Sequence, residues 1–206
     1  MNLPTILYRG DSDSSGIRLL KDNVNKNQLF TNLINGGQGR EIIEKPIIEL
    51  INKHVNVGWH YTHFLSFSEE IEVAYKYGLG KNNVNNYFCE EYFKDDRNWT
   101  FALIEMFVKE IEITELSKGV FHCKYDSSLL VSDKKCNILL LDVCRYLEQF
   151  NGFDLSKHNS KRDKEWLVFP AQTVKLKTGN EFSARLDTGN IFRIKRIAEI
   201  TSGNNL

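Results

Sequence analysis

The first part of the chain alternates between short apolar segments and polar, glycine-containing ones. Residues 4–9, PTILYR, predict a short strand that stops at Gly10, where a run of turn formers begins. From about residue 17 to residue 51 the apolar spacing is helical, but three glycines in INGGQGR divide it into two stretches. This break reads as a connection between helices, because a glycine motif that follows no strand is a weak sign of a phosphate site.

A strand followed directly by a helix is predicted next. Residues 60–68, HYTHFLSFS, have the aromatic and β-branched content of a strand, and EEIEVAYKYG after them has helical spacing. Ser68 falls at the junction, where its side chain can cap the helix, and Gly78 is the predicted end.

The second half of the chain predicts more strands than helices. Residues 100–113 predict one or two strands, and residues 137–150 predict an apolar helix or a strand leading into one. Residues 151–164, NGFDLSKHNSKRDK, predict a polar loop that delivers the chain to a strand, EWLVFP, closed by Pro170. The alternation after it, with a DTGN turn, predicts a hairpin or meander.

Strands and helices are mixed without strict alternation, so the predicted class is α+β. At 206 residues, with 41% hydrophobic and 12% aromatic residues, the chain fits one soluble domain that spans residues 1–206. The amino terminus lacks the features of a secretory signal, and no run of about eighteen apolar residues is present. We therefore expect a cytoplasmic protein with no membrane partner.

Charge and cysteine content narrow the function classes. Twenty-seven basic residues balance 27 acidic ones, so the chain lacks the global positive field of most duplex-binding proteins, although a local basic patch stays open. The four cysteines form no CxxC pair, and the five histidines are scattered. The expectation is that no metal is required.

Three separated patches place polar residues at predicted strand ends: LYRGD, FLSFSEEIEVAYKYG and DKEWLVFPAQTVKL. Taken together and in this order, they resemble the arginine-serine-glutamate class of mono-ADP-ribosyltransferases, a family that includes bacterial toxins and phage-encoded enzymes. The matching residues are Tyr8-Arg9-Gly10, Ser66-Phe67-Ser68 with Ala74, and Glu165 with Pro170. Phe67 stands where the family usually has threonine. The resemblance implies two packed sheets around a cleft that binds NAD, with flanking helices.

The implied chemistry centres on Glu165. Cleavage of the bond between nicotinamide and ribose builds positive charge on the ribose carbon, and a fixed carboxylate stabilises that state. At about 4 Å and an effective dielectric near 20, the attraction is roughly 4 kcal/mol, which corresponds to about a thousandfold in rate as an upper guide. The resemblance implies that Glu165 also binds a ribose hydroxyl and that the Ser66 hydroxyl holds the carboxylate.

The resemblance also implies a set of NAD-binding residues. The planar fork of Arg9 would hold the phosphates or brace the cleft, and the main chain at Gly10 would bind the nicotinamide amide. Ser66 and Ser68 would line the cofactor site, although a helix cap is the alternative for Ser68. Tyr75 or Tyr77 would stack on the cofactor, with a place in the core as the alternative.

The acceptor is left open between two classes. Asp163 stands two residues before the glutamate, where the family often has glutamate in arginine-modifying enzymes or glutamine in enzymes that modify other groups, including guanine bases. A carboxylate there accepts a hydrogen bond from a guanidinium or from a base amine, so Asp163 is the predicted acceptor-binding residue. Four basic residues before Glu165 could contact phosphates, or be a solvated face of a loop: Lys157, Lys161, Arg162 and Lys164.

Three other readings compete with this one. A catalytically silent binding module of the same fold would release no nicotinamide, and an NAD glycohydrolase would consume NAD without a labelled product. A nuclease or RNA-binding protein would need a general acid-base pair or a basic groove. Enzymes of the resembled class are often toxins or phage-conflict proteins, so an antitoxin or other neutralising partner is a further expectation.

Overall fold

Antiparallel strands and helices make up the structure, a computed structural model. It describes residues 3–12, 28–30, 34–35, 47–57, 64–79, 88–89, 101–126, 135–170, 173–175, 181–187 and 191–199. Within these ranges the helices are α1 (Ile47–Val57), α2 (Ile71–Leu79), α3 (Val143–Gln149) and α4 (Asp154–Asp163). The strands are β1 (Ile6–Ser12), β2 (Gln28–Phe30), β3 (Ile34–Asn35), β4 (Leu65–Ser68), β5 (Phe88–Cys89), β6 (Phe101–Phe107), β7 (Glu112–Ser117), β8 (Val120–Asp126), β9 (Lys135–Asp142), β10 (Glu165–Pro170), β11 (Thr173–Lys175), β12 (Glu181–Asp187) and β13 (Phe192–Glu199).

Nine strands form one sheet in the order β5-β13-β6-β1-β4-β10-β9-β8-β7. Its described neighbours all pair antiparallel. A smaller sheet has the order β11-β12-β2, and β3 pairs with β12. The α+β class predicted from the sequence is confirmed at this level.

The large sheet curls, and this divides the core in two. Rings of Phe192 on β13 and Tyr125 on β8 lie 6.2 Å apart, although five strands separate β13 from β8 in the sheet. We call the enclosed side the inner face; its buried cluster includes Leu7, Phe67 and Trp166. On the outer face, Leu50 and Ile51 of α1 and Leu147 of α3 pack on Leu141 and Leu167, as expected for helices with one apolar stripe. A smaller outer cluster joins Ala74 of α2 to Leu103.

One row of residues crosses the large sheet to Glu165. The register pairs Arg193 with Glu105, Glu105 with Tyr8, Tyr8 with Ser68, and Ser68 with Glu165. Residues directly opposite one another share a face of a sheet, so all five side chains start on the outer face. The row ends at Glu165, the first residue of β10, directly after α4.

Several element predictions hold and others need correction. EWLVFP is a strand ending at Pro170, and residues 137–150 are a strand leading into a helix, the second of the two alternatives. β1 continues past Gly10 to Ser12, because the ladder with β6 supplies partners for these residues too. Gln28–Phe30 and Ile34–Asn35 are strands rather than helix, whereas Ile47–Val57 is helical as predicted; residues 13–27, 31–33 and 36–46, with the glycine-rich break, lie outside the described residues.

The predicted loop at residues 151–164 is wrong, because ten of its residues form α4. The buried side of this helix carries Ser156, Ser160 and Asp163, while Phe153 and Leu155 are exposed. An apolar-periodicity pattern cannot detect a helix whose buried positions are polar. Hydrogen bonds hold it instead, such as that from Asn56 Nδ2 to Ser156 Oγ at 2.8 Å.

The carboxyl-terminal hairpin is also only partly as predicted. β11 and β12 form an antiparallel pair, but β13 pairs with β6 and β5 in the large sheet and not with β12. Among the helices of the described ranges, none is long and apolar enough to cross a membrane.

Candidate active site

Glu165 occupies the first position of β10, directly after α4. Lys164 between them has φ 41° and ψ 55°, a left-handed conformation that ends the helix and turns the chain into the strand. In the ladder Glu165 lies opposite Ser68, and its side chain is 13% exposed. The carboxyl group is therefore held mostly away from water at the head of a central strand.

Ser66 shares a face with Ser68 because side chains alternate along a strand. The Ser66 hydroxyl is close enough to the Glu165 carboxyl group to lower its pKa. The Ser66 Oγ atom also lies 2.6 Å from Nε2 of His54. The serine hydroxyl thus lies between an imidazole and a carboxyl group.

His54 reaches this site from α1, outside the three sequence patches. It follows Leu50 by one helical turn, so both lie on the buried side of the helix, and its ring contacts Phe64 edge-on at 5.6 Å. Burial, aided by the positive charge of Arg9, lowers the pKa of His54 to about 3. The 4.0 Å separation of His54 Nε2 and Glu165 Oε1 is therefore a contact of a neutral imidazole, not an ion pair.

Arg9 bridges β1 and β4 where the two strands part. Their described pairing consists of Tyr8 with Ser68, whereas β1 continues along β6 as far as Ser12. Beyond the Tyr8–Ser68 pair, Arg9 Nη1 donates a 3.1 Å hydrogen bond to the main-chain oxygen of Ser66. Beyond that pair, the Arg9 side chain therefore connects β1 to β4 in place of main-chain hydrogen bonds.

The environment raises the pKa of Glu165 to about 7. Burial is the largest cause, and the nearby negative charge of Asp163 acts in the same direction. The hydrogen bond from Ser66 and the charge of Arg162 oppose them. A mostly buried carboxyl group whose pKa is raised toward neutral is a candidate catalytic group.

The Ser68 hydroxyl connects the segment before β10 to the segment before α2. Its hydroxyl donates to the main-chain oxygen of Asp163 at 2.7 Å and accepts from the main-chain nitrogen of Glu70 at 3.0 Å. Glu70 directly precedes α2, so this bond holds the chain at the entry to the helix, and a cap on its first turn stays a prediction. Trp166 Nε1 adds a 2.8 Å hydrogen bond to Glu69 Oε1. Ser68 is 3% exposed, so its observed role is to position Glu165, and contact with a cofactor stays a prediction.

Both carboxylate oxygens of Asp163 are engaged within the protein. Arg162 donates to Oδ1 through Nε at 2.8 Å and to Oδ2 through Nη2 at 2.6 Å, and the Tyr77 hydroxyl donates to Oδ2 at 2.7 Å. Burial opposes ionisation of Asp163, but these hydrogen bonds outweigh it and lower its pKa. Burial and the bond to Asp163 raise the pKa of Tyr77 to about 12.

The remaining predicted residues lie nearby on β1 and α2. Gly10 pairs with Leu103 of β6, in the part of β1 that β4 has left. Tyr75 is partly buried and packs on the cluster of Ala74 and Leu103, which agrees with the alternative of a core position. Stacking of Tyr75 on a cofactor stays a prediction.

The structure places the Ser66 hydroxyl near Glu165 and the Arg9 guanidinium on the main chain of Ser66. It adds His54, which lies outside the three sequence patches, and a contact of Tyr77 with Asp163. His54 was dismissed as one of several scattered histidines, although it lies one turn from Leu50 on the apolar stripe of a recognisable amphipathic helix. Tyr77 was considered only as a stacking or core residue. Its contact with Asp163 depends on the packing of α2 near the end of α4, which no local pattern encodes.

Among the described residues, no group of three or more His, Cys, Asp or Glu side chains could hold a metal ion. No family model matches the chain, and no curated protein or solved structure matches it. The function is therefore argued from the site itself.

Proposed function

We propose that this protein is an NAD-dependent mono-ADP-ribosyltransferase of the arginine-serine-glutamate class, with the matching fold of two sheets around an NAD cleft in a single domain. The observation that carries the proposal is the convergence of three distant patches. Arg9 Nη1 lies 3.1 Å from Ser66 O, and the Ser66 hydroxyl is close enough to Glu165 to lower the pKa of its carboxyl group. A guanidinium, a hydroxyl and a carboxylate are the groups that the reaction needs.

Glu165 acts in this proposal as the ionised group that stabilises the ribose cation. The bond from ribose C1′ to the pyridinium nitrogen breaks, and its electron pair leaves with nicotinamide while positive charge grows on C1′. A mostly buried carboxylate interacts strongly with that charge because little water screens it. The acceptor then donates an electron pair to C1′ and loses a proton.

Ser66 and Arg9 prepare the site for NAD. The Ser66 hydroxyl holds the carboxylate in one rotamer, which removes the need to order it during the reaction. Arg9 braces the gap between β1 and β4 and supplies a positive charge for the diphosphate. Gly10 lies in the stretch of β1 that has no described pairing with β4, which supports a main-chain contact to the nicotinamide amide.

Asp163 is the proposed acceptor-binding residue, but both of its carboxylate oxygens already accept hydrogen bonds within the protein. An acceptor must displace the Tyr77 hydroxyl or the Arg162 guanidinium from the carboxylate. This occupancy favours one second candidate, an NAD glycohydrolase, in which water attacks C1′ and no macromolecule needs Asp163. By resemblance, we propose a cytoplasmic toxin or phage-conflict effector with a protein or nucleic-acid acceptor and a neutralising antitoxin partner.

Incubation of the purified chain with NAD tests the proposal. NAD labelled in its adenylate portion is added to a cell lysate, and protein, RNA and DNA fractions are counted separately while free nicotinamide is measured. Glu165→Gln keeps the size of the side chain and removes its charge, so it should lower nicotinamide release by about a hundredfold or more. Glu110→Gln, at an exposed carboxylate of the short 3-10 helix Val108–Glu110 after β6, is the matched control.

The outcomes separate the candidates. Label in one macromolecular fraction, dependent on Glu165, supports the transferase and names its acceptor class. Glu165-dependent nicotinamide release with only free ADP-ribose supports the glycohydrolase. If a folded wild-type chain releases no nicotinamide, both enzymatic functions are excluded and a catalytically silent binding module remains.

A further inference from the structure

The Ser66 hydroxyl lies between two side chains that compete for its single proton. Nε2 of His54 lies 2.6 Å from Ser66 Oγ and 4.0 Å from Glu165 Oε1, and the Ser66 hydroxyl is close enough to Glu165 to lower the pKa of its carboxyl group. The His54 side chain is 2% exposed, so its contact with Ser66 is shielded from water. A hydroxyl donates once and accepts up to twice, and the direction of each bond therefore depends on the other.

Two proton arrangements satisfy this geometry. With Glu165 ionised, the carboxylate can only accept, so Ser66 donates to it and His54 Nε2–H must donate to Ser66 Oγ. With Glu165 protonated, its O–H can donate to Ser66, which then donates to a bare Nε2. Both arrangements need a neutral imidazole, and burial with the nearby Arg9 charge keeps His54 neutral by lowering its pKa.

We propose that His54 is a positioning residue for Glu165: its Nε2–H donates to Ser66 Oγ and thereby turns the serine proton toward the carboxylate. Hydrogen bonds in such a chain strengthen one another, so the imidazole makes Ser66 a better donor. The inference rests on the proposed function in giving Glu165 the catalytic role. The hydrogen-bond order itself is independent of that role.

Other charged groups act on the same carboxyl group and must be separated from His54. From α4 they are Arg162 and Asp163; Tyr77 of α2 and Cys144 of α3 also interact electrostatically with Glu165. From β1, the Arg9 charge acts on His54. None of these groups is changed by a substitution at His54, so a double-mutant cycle with Ser66 isolates the proposed path.

The test is a pH titration of Glu165 by NMR in protein labelled at glutamate Cδ, with Glu165→Gln to assign the signal. His54→Leu removes the donor with an apolar side chain of suitable bulk, and His54→Gln places an amide donor near the position of Nε2. Because His54→Leu removes the donor that orients the serine proton toward the carboxylate, it should raise the pKa of Glu165 by about 1 unit. His54→Gln should restore most of the shift.

The effect of His54→Leu is also measured in Ser66→Ala protein, which lacks the serine hydroxyl. If His54 acts through the serine, His54→Leu should produce no further shift in Ser66→Ala protein. Ile51→Val, in the same helix and core, is the control for loosened packing: it should lower the melting temperature and leave the titration unchanged. The pH profile of NAD cleavage should shift with the NMR titration in each variant.

An equal shift in the Ser66→Ala background, or no shift in either background, would overturn the proposal. If the wild-type chain does not cleave NAD, the proposed function fails while the NMR cycle still decides the hydrogen-bond order. If NAD is cleaved but the cycle shows no coupling, His54 is merely structural and the function stands.

Discussion

Glu165 lies directly opposite Ser68, and the Ser68 hydroxyl donates a 2.7 Å hydrogen bond to the main-chain oxygen of Asp163, two residues before Glu165. The serine therefore fixes the main chain that carries the proposed catalytic carboxylate. It also ties that chain to the start of α2 through Glu70.

Ser68→Ala should destabilise the protein and weaken NAD cleavage together. It leaves a buried carbonyl and an amide without their partner, which costs about 1–3 kcal/mol. Urea denaturation measures the loss, with Ser117→Ala at an exposed strand end as a control expected within about 0.5 kcal/mol of wild type. A Ser68→Ala protein as stable as that control would show that the hydroxyl does not hold the two segments.

Glu165→Gln should stabilise the protein at pH 8 and not at pH 4. The folded pKa of Glu165 is raised to about 7 from 4.5, so its favourable contribution is complete below pH 4.5 and is lost as pH rises through 7. At pH 8 the wild type holds a buried charge that glutamine lacks, and the gain should reach at most about 3 kcal/mol. Denaturation of both proteins across this range checks the sign.

His54 contributes with the opposite pH dependence and cancels in that comparison. Its pKa falls to about 3 in the folded protein, so its contribution is present above pH 6.5 and is lost on acidification. The wild type and Glu165→Gln both lose this contribution of His54, so it does not affect their difference in stability. A gain for Glu165→Gln that grows toward acid pH would contradict the assigned burial of Glu165.

The rate of NAD cleavage should depend on ionisation of the free enzyme near neutral pH. Because the proposed role needs the carboxylate form, kcat/KM should fall about tenfold per unit below the pKa of Glu165, which is about 7. A pH profile of nicotinamide release at low NAD concentration measures it. A flat profile between pH 5 and 8 would argue against a titrating Glu165 in catalysis.

Lys164→Gly should leave a more stable protein than Lys164→Ala. The residue has φ 41°, where a side chain costs about 1 kcal/mol relative to glycine. Both variants lose the exposed ion pair with Glu70, so the difference isolates the backbone. Thermal unfolding should therefore rank glycine above alanine, the reverse of the order inside a helix.

The sequence alone predicted the strands and helices that bury one face against the core. The strand of Ser66 and Ser68, the helix after it and the strand from Glu165 to Pro170 were all recognisable, because a buried face imposes a period on local sequence. Three of the proposed site residues, Arg9, Ser66 and Glu165, could be named because their patches, in this order, resemble those of a known enzyme class.

Only the tertiary structure decided which distant residues meet. α4 buries Ser156, Ser160 and Asp163. Two of them have partners far along the chain: Asn56 donates to Ser156, and Tyr77 donates to Asp163. His54 gained its partner Ser66, and Arg9 gained a carbonyl across a strand gap, in the same way. Hydrophobic period is a local property that the sequence displays, whereas a buried hydrogen bond depends on two segments that folding brings together.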